Sequence, residues 1–401
     1  MNKPKIRFKG FEGEWKRQSL GDISASFSGG TPAVSVSDYY GGNIPFIRSG
    51  EIHENRTQLY ITQAGLNNSS AKIVEKGTIL YALYGATSGD VGFSKLRGAI
   101  NQAILAIEPT KKYIDRIFLV GFLQAYKHRI INELLQGGQG NLSGSLVKKI
   151  LLAFPSLPEQ RAIASYFTSL DAQIAASTSR LSSLKQIKAA SLLNMFPQKG
   201  ETVPRVRFKG FQGEWKKVKI GDVAPLTGGF AFQSGQFKTS GVPIIRISNI
   251  LSSGIVGGDF VYYNEFKGDS EFRLYKGDVV IAMSGATTGK VATFEANDFG
   301  YQNQRVGKFS RTNLVNYELL SKLVSAPNFQ KKIISKLTSS AQPNASSKDI
   351  DSIDLVVPEE TEEQRAIASY FTTLDAQITL HRKRLEKLKQ IKAACLEKMF
   401  A

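Results

Sequence analysis

The sequence predicts an α+β protein in which two globular α/β lobes are joined by two long antiparallel helices that form a coiled coil. Three observations predict this fold class. A segment of 37 residues occurs twice, a segment of 13 residues opens each half, and the apolar residues of the longer repeat follow helical spacing. Duplication on this scale indicates a pseudo-two-fold internal repeat, so each half should contain the same parts in the same order.

Composition limits what the chain binds. Its 401 residues suffice for two cores, and 52 Lys+Arg against 34 Asp+Glu give a net charge of +18 and a pI near 9.7. Such a field favours a polyanion, either nucleic acid or an anionic membrane. The longest apolar run, Ile117–Leu123, is too short to span a bilayer, and the first residues lack the apolar core of a secretion signal. Nucleic acid is therefore the expected partner, and a membrane is not.

Cysteine and histidine usage narrows the chemistry. Cys395 is the only cysteine, which excludes an internal disulfide and fits a reducing, cytoplasmic compartment. The three histidines and the cysteine are dispersed along the chain and show no metal-ligand spacing. We therefore expect no metal site and no cofactor.

The shorter repeat opens each half of the chain. Pro4–Lys16 returns as Pro204–Lys216 with few changes. Phe8, Phe11 and Trp15 lie among basic residues and so could stack on bases, but large aromatic residues more often anchor a segment to its own domain. Because a segment that reads a different sequence in each half should differ between the halves, we expect the anchoring role here.

A loop that leads into a short β-strand comes next in each half, and it carries an arginine. Gly29–Pro32 precedes the strand of Arg48, and Gly228–Phe232 precedes the strand of Arg246. Two interpretations are open. Each arginine either contacts a phosphate or a guanine of the nucleic acid, or forms an ion pair within its own lobe.

The densest similarity between the lobes is an apolar strand that runs into a loop of small residues, at Gly77–Gly89 and again at Gly277–Gly289. Such a loop lets backbone N–H groups approach a phosphate. Ser284–Val291 resembles a nucleotide-binding P-loop, but serine replaces its first glycine and valine replaces its metal-binding hydroxyl residue, which disfavours nucleotide hydrolysis. The DNA-contact candidates are Arg48, Gly85, Thr87, Gly89, Arg246, Gly285, Thr287, Gly289 and Lys290.

Each lobe ends in a common series of elements. An Asn-Gln pair recurs, and such amides either read adenine in the major groove or satisfy backbone groups in turns. Because both lobes share the pair, we favour the structural role. A helix, a polar loop and a last strand follow. The elements are Asn101-Gln102, Tyr113–Leu135, Gly137–Ser143 and the strand ending at Pro155 in the first lobe, and Asn303-Gln304, Tyr317–Leu337, Ser339–Ser346 and the strand ending at Pro358 in the second.

The longer repeat, Gln160–Phe196 and Gln364–Phe400, predicts a helix with a narrow apolar seam. Its apolar residues recur at spacings of three, four and seven, and a helix of this length spans about 55 Å. The two seams either pair with each other or join two chains as a dimer. Pairing within the chain predicts antiparallel helices and places Met1 near Ala401. The seam residues are Ile163, Phe167, Leu170, Ile174, Leu181, Leu184, Leu192 and Met195, and Ile367, Phe371, Leu374, Ile378, Leu385, Leu388, Leu396 and Met399.

The basic excess is concentrated on the lobes. Residues 159–199 and 359–401 carry net charges of +3 and +1, which leaves +14 of the total on the rest of the chain. This distribution is expected if the lobes hold DNA and the helices hold mainly proteins.

These features together resemble the specificity subunit of type I restriction-modification systems. Each variable lobe contains the Gly-Ala-Thr-Ser-Gly and Asn-Gln elements or close variants, and is followed by a repeated helix that starts at Glu159-Gln160 or Glu363-Gln364. The resemblance covers essentially the whole chain. It implies four parts, namely target recognition domain 1 (residues 1–157), a first spacer helix (158–198), target recognition domain 2 (199–358) and a second spacer helix (359–401).

The resemblance also implies partners. Each target recognition domain would read one half of an asymmetric, bipartite site in double-stranded DNA. The helices would set the gap between the half-sites and bind two modification (methyltransferase) subunits, with restriction subunits joining the full complex. The residues assigned to this spacing and docking role are Gln160, Arg161, Phe167, Leu170, Leu181, Leu184, Gln364, Arg365, Phe371, Leu374, Leu385 and Leu388.

The chain shows no methyltransferase chemistry of its own. No Asn/Asp-Pro-Pro-Tyr/Phe loop occurs, and no Gly-rich cofactor loop of the expected form does. We therefore expect a non-catalytic subunit whose partners supply catalysis. Two alternatives are a free-standing DNA-binding regulator of the same architecture and a nucleotide-hydrolysing enzyme that uses the loop at Ser284–Val291.

Overall fold

A computed structural model describes residues 3–134, 141–337 and 345–400. The chain divides into two compact units. Unit 1 contains Met1–Thr178 and Lys383–Ala401, and unit 2 contains Ser179–Arg382. Each unit therefore combines one lobe with segments of both long helices. We call residues 1–157 lobe 1 and residues 199–358 lobe 2.

The described residues of lobe 1 form ten short strands and five short α-helices. Its strands form a two-stranded sheet in the order β1-β10 and two four-stranded sheets in the orders β2-β9-β6-β7 and β4-β3-β8-β5. All strand pairs are antiparallel except β3 with β8. The elements are β1 (Lys16–Ser19), α1 (Leu20–Ile23), β2 (Ser24–Ser28), β3 (Tyr40–Ile47), β4 (Tyr60–Ile61), α2 (Gln63–Asn67), β5 (Lys72–Val74), β6 (Ile79–Ala82), β7 (Val91–Phe93), β8 (Gly98–Ile100), β9 (Ile104–Pro109), α3 (Arg116–Ala125), α4 (Lys127–Leu134), α5 (Gly144–Lys148) and β10 (Leu151–Phe154).

Lobe 2 repeats the strand topology of lobe 1. Its sheets have the orders β11-β20, β12-β19-β16-β17 and β14-β13-β18-β15, which match those of lobe 1 strand for strand. The predicted internal repeat is therefore present in the fold. The elements are β11 (Lys216–Lys219), α7 (Ile220–Val223), β12 (Leu226–Gly228), β13 (Val242–Ile245), β14 (Val261–Tyr263), β15 (Arg273–Leu274), β16 (Val279–Ala282), β17 (Val291–Thr293), β18 (Gly300–Gln302), β19 (Val306–Phe309), α8 (Tyr317–Ser325), α9 (Pro327–Leu337), α10 (Ser347–Asp351) and β20 (Asp354–Val357).

Strands β6 and β16 are continuously apolar because both of their faces are buried. Every residue of these two strands is buried. Ile79 and Tyr81 on one face of β6 join the main core of the lobe, while Leu80 and Ala82 on the other face join a second cluster. Strand β16 divides its residues between two clusters in the same way. Because both faces are covered, neither strand alternates apolar with polar residues.

The single helix predicted at Tyr113–Leu135 is wrong, because the structure breaks it into α3 and α4 at Tyr126. The helix predicted at Tyr317–Leu337 is likewise split at Ala326, and Pro327 starts α9. A proline is well tolerated at the first position of a helix but interrupts one that is already under way. Leu135 lies outside the described residues, as do most of the polar loops predicted at Gly137–Ser143 and Ser339–Ser346.

Phe8 and Trp15 of the shorter repeat, with their counterparts Phe208 and Trp215, anchor it to its own unit. Trp15 is buried against Phe118, with ring centroids 5.8 Å apart. Phe8 contacts the ring of Tyr166 edge-on. Trp215 and Phe208 are held in the same way in lobe 2. Rings placed in a core are not available for base stacking, which favours the anchoring interpretation of this repeat.

Two long helices, α6 (Leu157–Asn194) and α11 (Thr361–Met399), contain the longer repeat. In unit 1 the Tyr166 hydroxyl lies 3.5 Å from Cys395 Sγ, and Lys392 pairs with Asp171 at 2.6 Å. Numbers rise along α6 as they fall along α11, so the two segments run antiparallel, as predicted. Unit 2 shows the same arrangement, because Tyr370 bonds to Ser191 at 2.9 Å and Asp375 pairs with Lys188 at 2.6 Å.

The ends of these helices are closed by the start of each repeat. In unit 1 the backbone N–H of Ile6 donates to the carbonyl of Lys398 at 2.9 Å. In unit 2 the N–H of Val206 donates to the carbonyl of Asn194 at 2.9 Å. The predicted proximity of Met1 and Ala401 concerns two residues outside the described part of the chain.

Candidate nucleic-acid interface and spacer helices

The loops that follow β6 and β16 have the same backbone geometry. Each begins as one turn of 3-10 helix, at Gly85–Thr87 and Gly285–Thr287. Gly85 and Gly285 have φ of 76° and 73°, which only glycine adopts without strain. The first two residues of each turn are exposed, so the apex of the loop faces solvent.

Gly89 and Gly289 have a packing role at the far end of each loop. Both have positive φ, and a Cβ on Gly89 would lie 2.9 Å from Ile131 Cδ1 of α4. A Cβ on Gly289 would lie 3.1 Å from Ile333 Cγ2 of α9. A side chain at either position would be strained by the positive φ and would press on an isoleucine of the neighbouring helix. These glycines close the loop against its lobe.

The backbone N–H groups of the loops are only partly free for a phosphate. The N–H groups of Ser88, Gly89 and Asp90 donate to carbonyls of Gly85, Ala82 and Thr87 within the hairpin, and lobe 2 repeats all three bonds. These amides are therefore occupied. Any phosphate contact by this backbone has to use the exposed first turn, which contains Gly85 and Thr87 in lobe 1 and Gly285 and Thr287 in lobe 2.

Arg48 is held in an ion pair within lobe 1. It follows β3 and donates to Glu51 at 2.9 Å and to Gln58 at 3.2 Å. The hydrogen bond with Glu51 is the largest influence raising the pKa of Arg48. Burial would raise the pKa of Glu51, but the bonds from Arg48 and its neighbours lower it overall. For Arg48 the structure therefore favours the interpretation of an ion pair within its own lobe.

Arg246 occupies the same place in lobe 2 but has no such partner. It follows β13, and its counterpart of Glu51 is Asn249, whose Oδ1 accepts from the backbone N–H of Arg246 at 3.0 Å. Asn249 cannot neutralise the guanidinium. The Arg246 Nε is buried without a hydrogen-bond partner, and among the described residues no carboxylate lies within ion-pair distance of this side chain.

A second charge difference lies at the end of the glycine loops. In lobe 1 Asp90 forms an ion pair with Lys127 of α4. In lobe 2 the position of Asp90 is Lys290, and the helix offers Gln330 near Gly289. Among the described residues Lys290 has no acidic partner. Lobe 2 thus carries an unneutralised cation where lobe 1 has an internal pair.

The candidate elements of lobe 2 come together in space. Thr287 Oγ1 donates to the carbonyl of Ile247 at 3.4 Å, and Gly285 approaches Ile247 Cδ1. The turn that follows Arg246 therefore packs on the glycine loop that leads to Lys290. The loop continues directly into β17 rather than into a helix, so the helix N-terminus on which a P-loop relies is absent from this part of the described chain.

Each long helix is fixed to its lobe by two buried polar residues at its start. Glu159 is 1% exposed and accepts two hydrogen bonds from the Arg7 guanidinium, both at 2.7 Å. Gln160 accepts from the backbone N–H of Asp115 at 2.8 Å and donates to the carbonyls of Tyr113 and Pro155. Unit 2 repeats the joint with Arg207, Glu363, Gln364 and Asn316.

The residues assigned to partner docking separate into buried and exposed groups. Gln160 and Gln364 are buried and hydrogen-bonded to the backbone of their own lobes, so their side chains hold the start of each helix in place. Their role in partner docking stays a prediction. The apolar members are buried, except that Leu385 is half-buried. Arg161 and Arg365 are exposed at the start of the helices. The buried apolar members are Phe167, Leu170, Leu181, Leu184, Phe371, Leu374 and Leu388.

The comparison with known families decides the identity of this architecture. A family model described as the type I restriction modification DNA specificity domain matches the chain twice, over residues 12–186 and 212–390. The chain belongs to this family. Each match covers one lobe together with most of the helix that follows it, so the duplication seen in the sequence is a duplication of the specificity domain.

Specificity subunits are similar to this chain over nearly its whole length. The type I restriction enzyme MjaVIII specificity subunit of Methanocaldococcus jannaschii is 21% identical over 393 residues, covering 94% of this chain and 90% of that protein. The MjaIX specificity subunit of the same organism is 22% identical and covers 96% of this chain and 92% of that protein. The S subunit of a type I restriction-modification system from M. genitalium shares the fold, with a TM-score of 0.66 at 16% identity and coverage of 100% and 99%.

In both copies of the specificity domain, the asparagine of the Asn-Gln pair stabilises the turn in which it lies. Asn101 Oδ1 accepts from the backbone N–H of Ala103, and Asn303 Oδ1 accepts from that of Arg305, both at 3.2 Å. These bonds support the structural interpretation for the asparagines. Gln102 and Gln304 are exposed, and Gln102 accepts a hydrogen bond from Thr31.

Reading the sequence missed the residues that join lobe to helix. Arg7 and Glu159 recur as Arg207 and Glu363 at nearly constant spacing, and this shared recurrence was the available signal. The sequence also did not point to Glu51 and Asn249, because a position at which the two copies differ cannot be recognised from the repeat. Among the described residues no group of three or more acidic, histidine or cysteine side chains could hold a metal ion. No described helix is both long and apolar enough to cross a membrane.

Proposed function

We propose that this chain is the non-catalytic DNA recognition subunit of a type I restriction-modification complex and that each lobe reads one half of an asymmetric, bipartite site. One observation carries this proposal. The two lobes share a strand topology but differ in charge at equivalent loop positions. Among the described residues Arg246 has no acidic partner where Arg48 has Glu51, and Lys290 stands where lobe 1 has Asp90. Two different readers on one scaffold call for two different half-sites.

The spacer helices supply the second part of the proposal. They act as a coiled coil of fixed length that sets the gap between half-sites and docks two modification subunits, with restriction subunits joining the full complex. Most of their apolar seam residues are buried, so the docking surface is the outer face, which includes Arg161 and Arg365. No cofactor is required of this chain, because the modification subunits supply the chemistry.

A lobe exchange tests the assignment of one half-site to each lobe. Residues 200–357 are replaced by the corresponding lobe of another specificity subunit, and methylated sites are mapped in cells that also produce the modification subunits. Only one half of the methylated sequence should change, with the gap retained. A change in both halves would contradict modular reading.

Copurification tests the partner assignment. The tagged chain should bring down two modification subunits per copy, and charge reversal of Arg161 and Arg365 together should weaken this. If the chain is recovered alone but binds a specific DNA sequence, it is a free-standing regulator instead.

A further inference from the structure

Both lobes have an arginine at the same position of the fold, but only the arginine of lobe 1 forms an ion pair within the described residues. Arg48 and Arg246 directly follow equivalent strands, β3 and β13. In both lobes the backbone carbonyl of the arginine accepts a hydrogen bond, 2.8 Å long, from the N–H of the residue three positions further on. The backbone is therefore the same. What differs is the residue three positions on, which is Glu51 in lobe 1 and Asn249 in lobe 2.

Asn249 is committed elsewhere and cannot serve the guanidinium. It is 1% exposed, and its Nδ2 donates to the carbonyls of Gly257 at 3.1 Å and Asp259 at 3.0 Å. Its Oδ1 accepts from the backbone of Arg246. Both donors of the amide are thus used to hold the loop after the turn, and the remaining acceptor is engaged by the main chain.

The guanidinium of Arg246 is consequently left with unused donors next to a solvent-facing loop. Nε is buried from solvent and lacks a partner, whereas the terminal nitrogens are neither buried nor bonded within the described part of the chain. The terminal nitrogens are therefore the donors that a ligand can reach. Arg48 has no such deficit, because Glu51 is only 13% exposed and bonds to two nitrogens of its guanidinium.

We infer that Arg246 is a specificity-determining residue of lobe 2 and contacts a guanine in the half-site that this lobe reads. The inference rests on the proposed function. Guanine presents two neighbouring acceptors, O6 and N7, which match the fork of a guanidinium. A contact that distinguishes half-sites has to differ between the lobes, and this position does. A phosphate contact, in contrast, would serve both lobes equally and would be expected in both.

The test uses the full chain in complex with its modification subunits and a library of duplexes with each half-site randomised in turn. Arg246→Ala should relax the preference at one base pair of one half-site and lower affinity for the preferred site by about tenfold to a hundredfold. Arg246→Lys should do the same, because an ammonium keeps the charge but not the fork. Arg48→Ala is the matched control and should leave every base preference unchanged.

Salt dependence separates the base contact from a phosphate contact. If Arg246 reads a guanine, the slope of log affinity against log salt should not change in either variant. If Arg246→Ala weakens all sequences equally and reduces that slope by about one, or if Arg246→Lys binds as the unsubstituted protein does, the residue contacts phosphate and the inference is overturned. Unchanged base preferences in Arg246→Ala would overturn it as well. Failure of the unsubstituted complex to prefer any sequence would refute the proposed function itself.

Discussion

Substitution of Asp375 tests which ion pairs hold the long helix α11 in place, and the equivalent residue of the other repeat, Asp171, provides the control. In unit 2 Asp375 of α11 pairs with Lys188 of α6 at 2.6 Å and with Lys322 of α8 at 2.8 Å. Its counterpart in unit 1, Asp171, pairs with Lys392 and with no other cation among the described residues. Asp375→Asn should therefore destabilise the protein, whereas Asp171→Asn should hardly do so.

The expected magnitudes follow from exposure and partners. Asp171 is 55% exposed, and an exposed ion pair contributes about 0–1 kcal/mol. Asp375 is 32% exposed and Lys322 only 16%. Hydrogen bonds to charged groups of this kind contribute about 1.5–3 kcal/mol. Allowing for partial screening and for the neutral bonds that asparagine retains, Asp375→Asn should cost about 2 kcal/mol of the free energy of unfolding.

The effect should depend on pH in a defined direction. Burial alone would raise the pKa of Asp375, but the charges of Lys322 and Lys188 and their hydrogen bonds outweigh it and lower the pKa overall. A carboxyl with a lowered pKa stabilises the folded state above its unfolded pKa, which is about 3.9. The advantage of the unsubstituted protein over Asp375→Asn should be complete near neutrality and decline as the pH falls below about 4.

Urea unfolding of both variants, followed by circular dichroism between pH 7 and pH 3, measures these differences. The midpoint shift of Asp375→Asn should exceed that of Asp171→Asn at neutral pH, and the difference should shrink in acid. Equal shifts in the two variants, or a difference independent of pH, would show that Lys322 does not stabilise the helix through Asp375.

Two further predictions concern the helices. Phe400→Ala removes a buried ring whose centroid lies 5.3 Å from that of Phe118 and 5.8 Å from that of Phe167. It should lower the free energy of unfolding of unit 1 by about 3–5 kcal/mol in a thermal melting experiment. The control Leu193→Ala, at an exposed position, should lower it by less than about 0.5 kcal/mol. Insertion of four helical residues after Ser177 adds about 6 Å of helix, close to two base pairs, and should lengthen the gap in the methylated sequence without changing either half-site; an unchanged gap would contradict the spacer role.

Duplication made much of the fold predictable. Two copies of one segment fixed the division into halves, and the apolar seam predicted long helices that the structure places at Leu157–Asn194 and Thr361–Met399. Short-range details were less accessible. The break at Tyr126 has no proline or glycine to announce it, and the apolar run of β6 did not reveal that its two faces serve different cores.

Duplication is less informative about DNA recognition than about the fold. Gly89 and Gly289 are common to both lobes because both loops must close against a helix, and Gln160 and Gln364 are common because both helices must be fixed at their starts. Shared residues thus report the scaffold. Recognition of two different half-sites has to reside where matched positions diverge, and the exchange of Glu51 for Asn249 converts a neutralised arginine into one whose donors are unused. The informative positions are therefore those at which one backbone geometry holds two different charge patterns.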